Sequence, residues 1–363
     1  MASHRIGVLT GGGDAPGLNA VIRAVVKYAV GELHWQVVGV EDAFNGLLEE
    51  PRRLVDLNPK TCQGLLHRGG TMLGTTNRGD PFNFPMGKGK DAPRADRSAE
   101  LVTAVREEGL EGLIVVGGDG TQRIAWRLMR ELGVPVIGVP KTIDNDLSAT
   151  DLTFGFWSAV QVATDALDRL HTTAEAHDRV MLLEVMGRDA GWIALYAGLA
   201  GGADCIALPE LPYDPERFCH KIRERQRRGR AFTLIVVAEG AAPSGAALSA
   251  AGAGVTTNIL AGSASQTLAR LLQERLDAEI RVTVLGHLQR GGSPVAFDRV
   301  LATQFGVKAV QLAAEGRWGE LVCARGGEIG SVPLAEAVDG QRLVSPDHPL
   351  LATARATGVE FGA

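Results

Sequence analysis

Within VPKTIDNDLS, residues 139–148, Lys141, Thr142, Asp144 and Asp146 crowd together directly behind the apolar run VPVIGV, residues 134–139. Asp144 and Asp146 are two apart, which on an extended segment points both to one side. One can then abstract a proton while the other orients a partner or a metal-bound water. Lys141 brings a positive charge suited to phosphate, and Thr142 brings a hydroxyl. An Asx-type turn with a surface lysine accounts for Asn145, but not for so many ionisable groups at the end of a buried strand.

Three further segments carry residues of the same kind. In VVGGDGTQ, residues 115–122, Gly117, Gly118 and Gly120 allow a backbone to approach a polyphosphate. Asp119 offers an oxygen to Mg²⁺, which takes few protein carboxylates beside water and phosphate; the alternative is a helix cap. TGGGDAPGLNAVIR, residues 10–23, suits either a phosphate cradle at a helix N-terminus or a tight turn that needs glycine. It has no GK[ST], and Pro16 stands where the third glycine of GxGxxG would fall, so neither common nucleotide fingerprint applies. RVTVLGHLQRGGSP, residues 281–294, places Arg281, His287 and Arg290 on and beyond a strand, a pattern for clamping a sugar phosphate through the planar arginine fork. EVMGRDAG adds Arg188 after another strand, Arg179 opens that strand, and Glu239 ends FTLIVVAE; each alone could be a surface charge.

The elements that must position these residues are legible in the apolar pattern. RIGVLT (5–10), WQVVGV (35–40), LIVVGG (113–118), VPVIGV, RVMLLEV (179–185), FTLIVVAE (232–239) and RVTVLG (281–286) are continuous rather than alternating runs. That predicts strands buried on both faces of a parallel sheet. Leu18, Val21, Ile22, Val25, Val26, Ala29 and Val30 follow helical spacing between the first two runs. Strand, glycine-rich turn and helix in repeated order predict a doubly wound α/β fold, whose ligands bind beyond the carboxyl ends of the strands.

With 363 residues the chain exceeds what one core supports, so two domains are expected. Nothing separates clean halves, so one domain is read as inserted in the other: residues 1–150 plus about 289–335 form one, and about 151–288 plus 336–363 form the other. PFNFPMGKGKDAPRADRS (81–98) reads as a linker or disordered insertion and EGAAPSGAALSAAGAGVTTN (239–258) as a mobile loop. A net charge of −5 without blocks of like charge argues against nucleic acid or membrane as partners. Cys62, Cys205, Cys219 and Cys323 lie far apart, so neither a structural zinc nor a disulfide framework is expected, and a reducing cytoplasm fits. The N-terminus has no signal-peptide pattern, and no apolar run is long enough to span a bilayer.

Together these segments resemble the 6-phosphofructokinase family. The resemblance runs from residue 5 to about residue 305, carried in the family's order by GVLTGGGDAPGLNAVIR, GGDGT, PKTIDNDL, EVMGR and VLGHLQRGGSP. It implies two doubly wound Rossmann-like domains with mainly parallel sheets and the active site in the cleft between them. The implied reaction is phosphoryl transfer to the 1-hydroxyl of fructose 6-phosphate, giving fructose 1,6-bisphosphate. By this resemblance Asp144 is the base, with Thr142 and Asp146 beside it and Lys141 near the donor. Asp119 matches the Mg²⁺ position, and Gly12, Gly118, Gly120 and Thr121 match the donor-phosphate loops. Arg188 matches a residue that stabilises the moving phosphoryl group, and Met186 and Gly187 line the sugar site. Glu239, His287 and Arg290 match sugar and sugar-phosphate contacts. Arg179 and Arg281 match arginines lent to a neighbouring subunit's site, which implies a homo-oligomer, tetramer or dimer.

The sequence departs from the family pattern in GGTMLGTTNRGD, where Asn77 stands at the usual arginine position and Arg78 follows; Arg78 is assigned the bridging of the donor phosphates. Arg23, Lys27, Arg228 and Arg230 fall near effector-binding positions of bacterial members, and solvated faces account for them equally well. Members that use pyrophosphate have aspartate at the position of Gly120 and lysine at that of Lys141, whereas the simplest bacterial ATP users have glycine at both. This chain combines Gly120 with Lys141. A carboxylate and an α-phosphate sharing one space would repel by several kcal/mol, so the missing carboxylate points to ATP, with pyrophosphate as the alternative donor. A catalytically silent, sugar-phosphate-binding paralogue is the reading from another class. The presence of Asp119, Thr142, Asp144 and Arg188 argues against it.

Overall fold

The computed structural model describes residues 4–87, 89, 91–230, 232–245 and 263–363. They divide into two compact units, Met1–Ser158 with Arg290–Gln341 and Ala159–Gln289 with Arg342–Ala363, so the chain passes between units three times. On its first leg it forms β1 (Arg5–Gly11), β2 (Gln36–Val40), β3 (Leu54–Leu57), β4 (Phe84–Pro85), β5 (Arg94–Ala95), β6 (Leu113–Gly117), β7 (Val136–Thr142) and β8 (Phe154–Gly155). The second unit contributes β9 (Val180–Val185), β10 (Cys205–Ala207), β11 (Thr233–Ala238) and β12 (Ile280–Val284), and the return leg adds β13 (Glu320–Arg325) and β14 (Glu328–Pro333) to the first.

The larger sheet runs in the order β14-β13-β7-β6-β1-β2-β3, with β8 paired to the end of β7. Its inner strands are parallel, and the edges β3 and β14 are antiparallel. Successive residues serve opposite faces. Ile6, Val8, Ile114, Val116, Ile137 and Val139 pack into one core layer with the helices Leu18–Gly31 and Ala296–Ala314. Leu9, Val38, Leu113, Val115 and Val136 pack into the other with the helices Ser98–Glu107 and Asp119–Leu132. Both faces of each inner strand are therefore apolar, which is why the runs are continuous in sequence. Because β1 pairs with β2 on one side and with β6 on the other, the sheet reverses its winding between β1 and β6. That switch point leaves a crevice at the carboxyl ends of two glycine-rich strands.

The second unit has a four-stranded, all-parallel sheet in the order β10-β11-β9-β12. Here β9 is flanked by β11 and β12, so the loops after these three strands emerge side by side.

Two expectations need correction, and a third region gains an assignment. β7 runs through Thr142, so Lys141 and Thr142 lie inside the strand rather than beyond it. The segment 81–98 is not a linker: β4 and β5 pair, Phe84 is buried, Phe82 packs on the core, and the Arg97 amide donates to Pro81 O at 2.7 Å. Two aromatic anchors outweigh the Pro, Gly and charge between them. The region past 320 supplies β13 and β14, joined by Gly326 and Gly327 at φ 60° and 88°, the left-handed pair that a two-residue hairpin requires. Of the loop expected at 239–258, residues 246–258 lie outside the described residues. Among the described residues no helix is long and apolar enough to cross a membrane.

Candidate active site

The first unit gathers the loops after β1, β6 and β7 around a pocket of about 630 Å³. β1 and β6 end in register at Gly11 and Gly117, and both lie against Thr121: a Cβ on either would meet its side chain at 2.8 Å or less. Gln122 is buried beneath, its Nε2 donating to Gly117 O and Val139 O at 3.0 Å each, which pins the ends of β6 and β7 together. Gly12, at φ 79°, donates its amide to Thr76 O (3.1 Å), and the Thr75 hydroxyl donates to Gly12 O (2.6 Å). The helix Asp119–Leu132 starts at this pocket, so its unpaired N-H groups and positive dipole end serve an anion there.

Lys141, Thr142, Asp144 and Asp146 all line the pocket. The sequence expected the two aspartates to share a side of an extended segment, and that geometry is wrong. Asn145 between them adopts φ 52°, so the chain turns. Asn145 Oδ1 accepts from the Thr153 amide (3.0 Å) and Nδ2 donates to Asp151 O (3.4 Å), fixing the turn against residues 151–153. The Thr142 hydroxyl accepts from the Asp144 amide (3.0 Å) and is bonded to Asp146. Gln341 Nε2 also reaches Asp146, at 3.4 Å.

Lys141 is buried and donates to Gly13 O. Burial, then the neighbouring Arg290 guanidinium, lower its pKa to about 8, with Asp144, Asp14 and Asp146 pulling the other way. Burial, then Asp144, raise Asp146 to about 6. Arg290 Nη1 donates to Asp14 O (3.1 Å), so Arg290 belongs to this pocket and not to the second unit's loops.

Asn77 lines the pocket, and Arg78 is not among the lining residues. Arg123, Ile124 and Arg127, which the sequence motifs leave out, do line it. Arg123 and Arg127 follow Asp119 at helical spacing, the one signal that could have found them. Asp119 accepts from Arg123 Nε at 3.0 Å on both carboxylate oxygens. Among the described residues no three or more His, Cys, Asp or Glu side chains cluster to hold a metal. One carboxylate beside phosphate loops nevertheless fits Mg²⁺, which keeps phosphate and water as most of its ligands.

In the second unit, Met186, Gly187 and Arg188 follow β9, Glu239 follows β11 and His287 follows β12. The Glu239 amide donates to Val185 O (2.9 Å), and the Gly240 amide to Gly187 O (3.2 Å). Buried Gln289 accepts from the Met186 amide (2.7 Å) and donates to Ala159 O (3.3 Å), joining the loop after β12 to the loop after β9. Glu184, buried on β9, accepts from the Ser265 amide (2.8 Å) and hydroxyl (2.5 Å), which anchors the helix Ala264–Gln273. No sequence motif assigns a role to Gln289 or Glu184. Arg188, His287 and Glu239 stay exposed.

Arg179 and Arg281 do not join that group. Both hold Glu279 Oε1, at 2.8 and 2.6 Å, at the amino ends of β9 and β12. The length of β9, roughly 20 Å at 3.3 Å per residue, separates them from Met186.

Comparison with known proteins places these features among relatives. The family model described as phosphofructokinase matches residues 5–313. An ATP-dependent 6-phosphofructokinase of Chloroflexus aurantiacus is 54% identical over 364 residues, covering 100% of this chain and 99% of that protein. ATP-dependent 6-phosphofructokinase 1 of Synechocystis is 46% identical, covering 99% of this chain and 98% of that protein. Among solved structures, Pichia pastoris phosphofructokinase in the T-state superposes with a TM-score of 0.79 at 31% identity over 93% of this chain, which spans only 38% of that longer chain. A pyrophosphate-dependent phosphofructokinase from Nitrosospira multiformis also gives 0.79, at 20% identity over 100% of this chain and 93% of that chain, a likeness of fold.

Proposed function

This chain belongs to the phosphofructokinase family, and from that premise we propose that it transfers the terminal phosphoryl group of ATP to the 1-hydroxyl of fructose 6-phosphate. The products are fructose 1,6-bisphosphate and ADP. The observation that carries the reading is the single pocket in which two glycine-rich strand ends and a helix N-terminus meet Lys141, Asp144 and Arg290.

In this reading the Asp144 carboxylate accepts the proton of the 1-hydroxyl as that oxygen bonds to the γ-phosphorus and the bond from the γ-phosphorus to its bridging oxygen breaks. Thr142 holds the Asp144 amide and Asp146, so the base is fixed before substrate arrives. Lys141 sets a positive charge beside the donor phosphates, where buried charge acts strongly, and Arg290, lining the same pocket, is assigned to the sugar phosphate. Gly12, Gly118, Gly120 and Thr121 cradle those phosphates. A Cβ on Gly120 would meet no atom within 4 Å, so the space a nucleotide needs is open, which supports ATP over pyrophosphate. Mg²⁺ would be held by Asp119 with phosphate and water, and would supply charge neutralisation at the donor.

The first unit is thus the donor-binding part. The second offers Met186, Gly187, Arg188, Glu239 and His287 to the sugar phosphate. Arg179 and Arg281 serve a second copy's sugar site in a homo-oligomer, tetramer or dimer. Their position at the far ends of β9 and β12 from their own unit's loops supports this. A phosphorylation of this kind belongs in the cytoplasm. The test is fructose 1,6-bisphosphate formation with Mg²⁺ and either ATP or pyrophosphate: turnover with ATP is expected, and turnover with pyrophosphate alone would overturn the donor assignment.

A further inference from the structure

Arg123 and Arg127 are donor-pocket cations to which no sequence motif gives a role, and Arg123 is the one that reaches Asp119. Its Nε is spent on Asp119, 3.0 Å from each carboxylate oxygen. Among the described residues its two terminal amino groups have no hydrogen-bond partner. The next two arginines of the helix are differently placed. Arg127 lies 3.7 Å over the Phe82 ring and pairs with Glu131, and Arg130 lies 4.0 Å over the Trp126 ring and also pairs with Glu131. Among the described residues Arg123 has no such ring beneath it, and its side chain is 51% exposed at the pocket wall.

Residues three apart on a helix are surface neighbours, so Arg123 stands beside the open space over Gly120. An arginine fork with two vacant donors beside a space that none of the described residues fills is matched to a phosphate oxygen pair. We propose that Arg123 is a donor-selecting residue: its terminal amino groups bind the α-phosphate of a nucleotide seated over Gly120 while Nε stays on Asp119. The proposal rests on the phosphoryl-transfer reading above and identifies what selects the nucleotide. Gly120 gives the α-phosphate room, and Arg123 gives it a counter-charge. Pyrophosphate, which ends before that position, gains nothing from Arg123.

The test uses full-length wild type, Arg123→Gln and Arg123→Lys, with ATP varied at saturating fructose 6-phosphate and Mg²⁺. It adds calorimetric titration of each protein with ADP and, separately, with inorganic pyrophosphate. Arg123→Gln is expected to raise the KM for ATP at least tenfold and to weaken ADP binding by a similar factor. The KM for fructose 6-phosphate and any pyrophosphate binding should stay within about threefold, and Arg123→Lys should recover part of the loss. Unchanged ATP and ADP affinities in Arg123→Gln overturn the proposal. Equal losses for ADP and pyrophosphate overturn it too, because they put the arginine at the transferred end. A wild type inactive with ATP would instead sink the functional reading before any variant is compared.

Discussion

The strand-end loops of the two units are built in opposite ways. In the first, the charged groups are fixed in advance: Lys141 is only 3% exposed and bonded to Gly13 O, Asp146 is largely desolvated, and Arg290 is bonded to Asp14 O. In the second, the Arg188 side chain is 83% exposed, and His287 and Glu239 are open to solvent, although the backbone beneath them is tied down by Gln289. The difference follows from what each must hold. Backbone N-H groups and a helix end make most of a polyphosphate site from local chain, so a single fold can complete it. A sugar phosphate needs long side chains from several directions, and Arg179 and Arg281, the two arginines proposed to bind it, lie at the other end of their own sheet.

The sharpest way to break this contrast is to remove the proposed base. Asp144→Asn should lower kcat by about 10³- to 10⁴-fold, near the upper range for general-base catalysis, with the KM for ATP changed by less than about threefold. Arg179→Ala and Arg281→Ala should act on the other side, raising the KM for fructose 6-phosphate by roughly 10- to 100-fold, as expected for lost charge-assisted contacts, and leaving the KM for ATP alone. The contrast predicts one thing more. Refolding Asp144→Asn subunits together with Arg281→Ala subunits should restore activity, because some sites would then receive an intact base from one chain and an intact arginine from another. A mixture no more active than its components would mean that the arginines serve only their own chain.

The same contrast marks what could be read in the sequence. Strands were legible because burial on both faces leaves an unbroken apolar run, and the carboxyl-end rule then pointed at Asp119, Asp144, Arg188 and Glu239. Arg123 and Arg127 were not legible, since on an amphipathic helix they look like a solvated face. Gln289 and Glu184 were missed because their partners, Met186 and Ser265, lie 103 and 81 residues away. No local spacing encodes such a pair. The turn at Asn145 was half legible: its Asx character was visible, but not that Thr153 would hold it.

A smaller effect follows from the buried lysine. Burial and Arg290 lower Lys141 to about 8, so its charge is lost as pH rises through that value. The KM for ATP should climb by up to about tenfold per unit above pH 8, the limit for loss of one proton. In Lys141→Met the KM should be high throughout and without that limb. Stability moves the other way. Between pH 8 and the ordinary lysine value of 10.5, the unfolded chain keeps a proton that the folded chain has released, so this group makes stability rise with pH. Thermal melts that hold steady or improve from pH 8 to 9 while ATP affinity falls would separate titration from unfolding. A pH-independent KM for ATP would show that the donor site does not need the charge.

The least severe change tests the scaffold under the exposed sugar loops. Gln289→Leu strands the Met186 amide without a partner, at about 1–3 kcal/mol for a buried group, and removes only a second donor from the Ala159 carbonyl, which already lies within the helix Phe156–Ala176. It should lower the melting temperature by several degrees and raise the KM for fructose 6-phosphate several-fold. The KM for ATP should not move, because Arg290, the next residue, is bonded to Asp14 in the other unit. Gln289→Glu keeps an acceptor for the Met186 amide and loses the donor to Ala159. If Gln289 matters by positioning Met186, Gln289→Glu should recover the sugar KM more than it recovers stability. Recovery of neither, or a shift in the ATP KM, would mean that the open loops are shaped by something other than the amide beneath them.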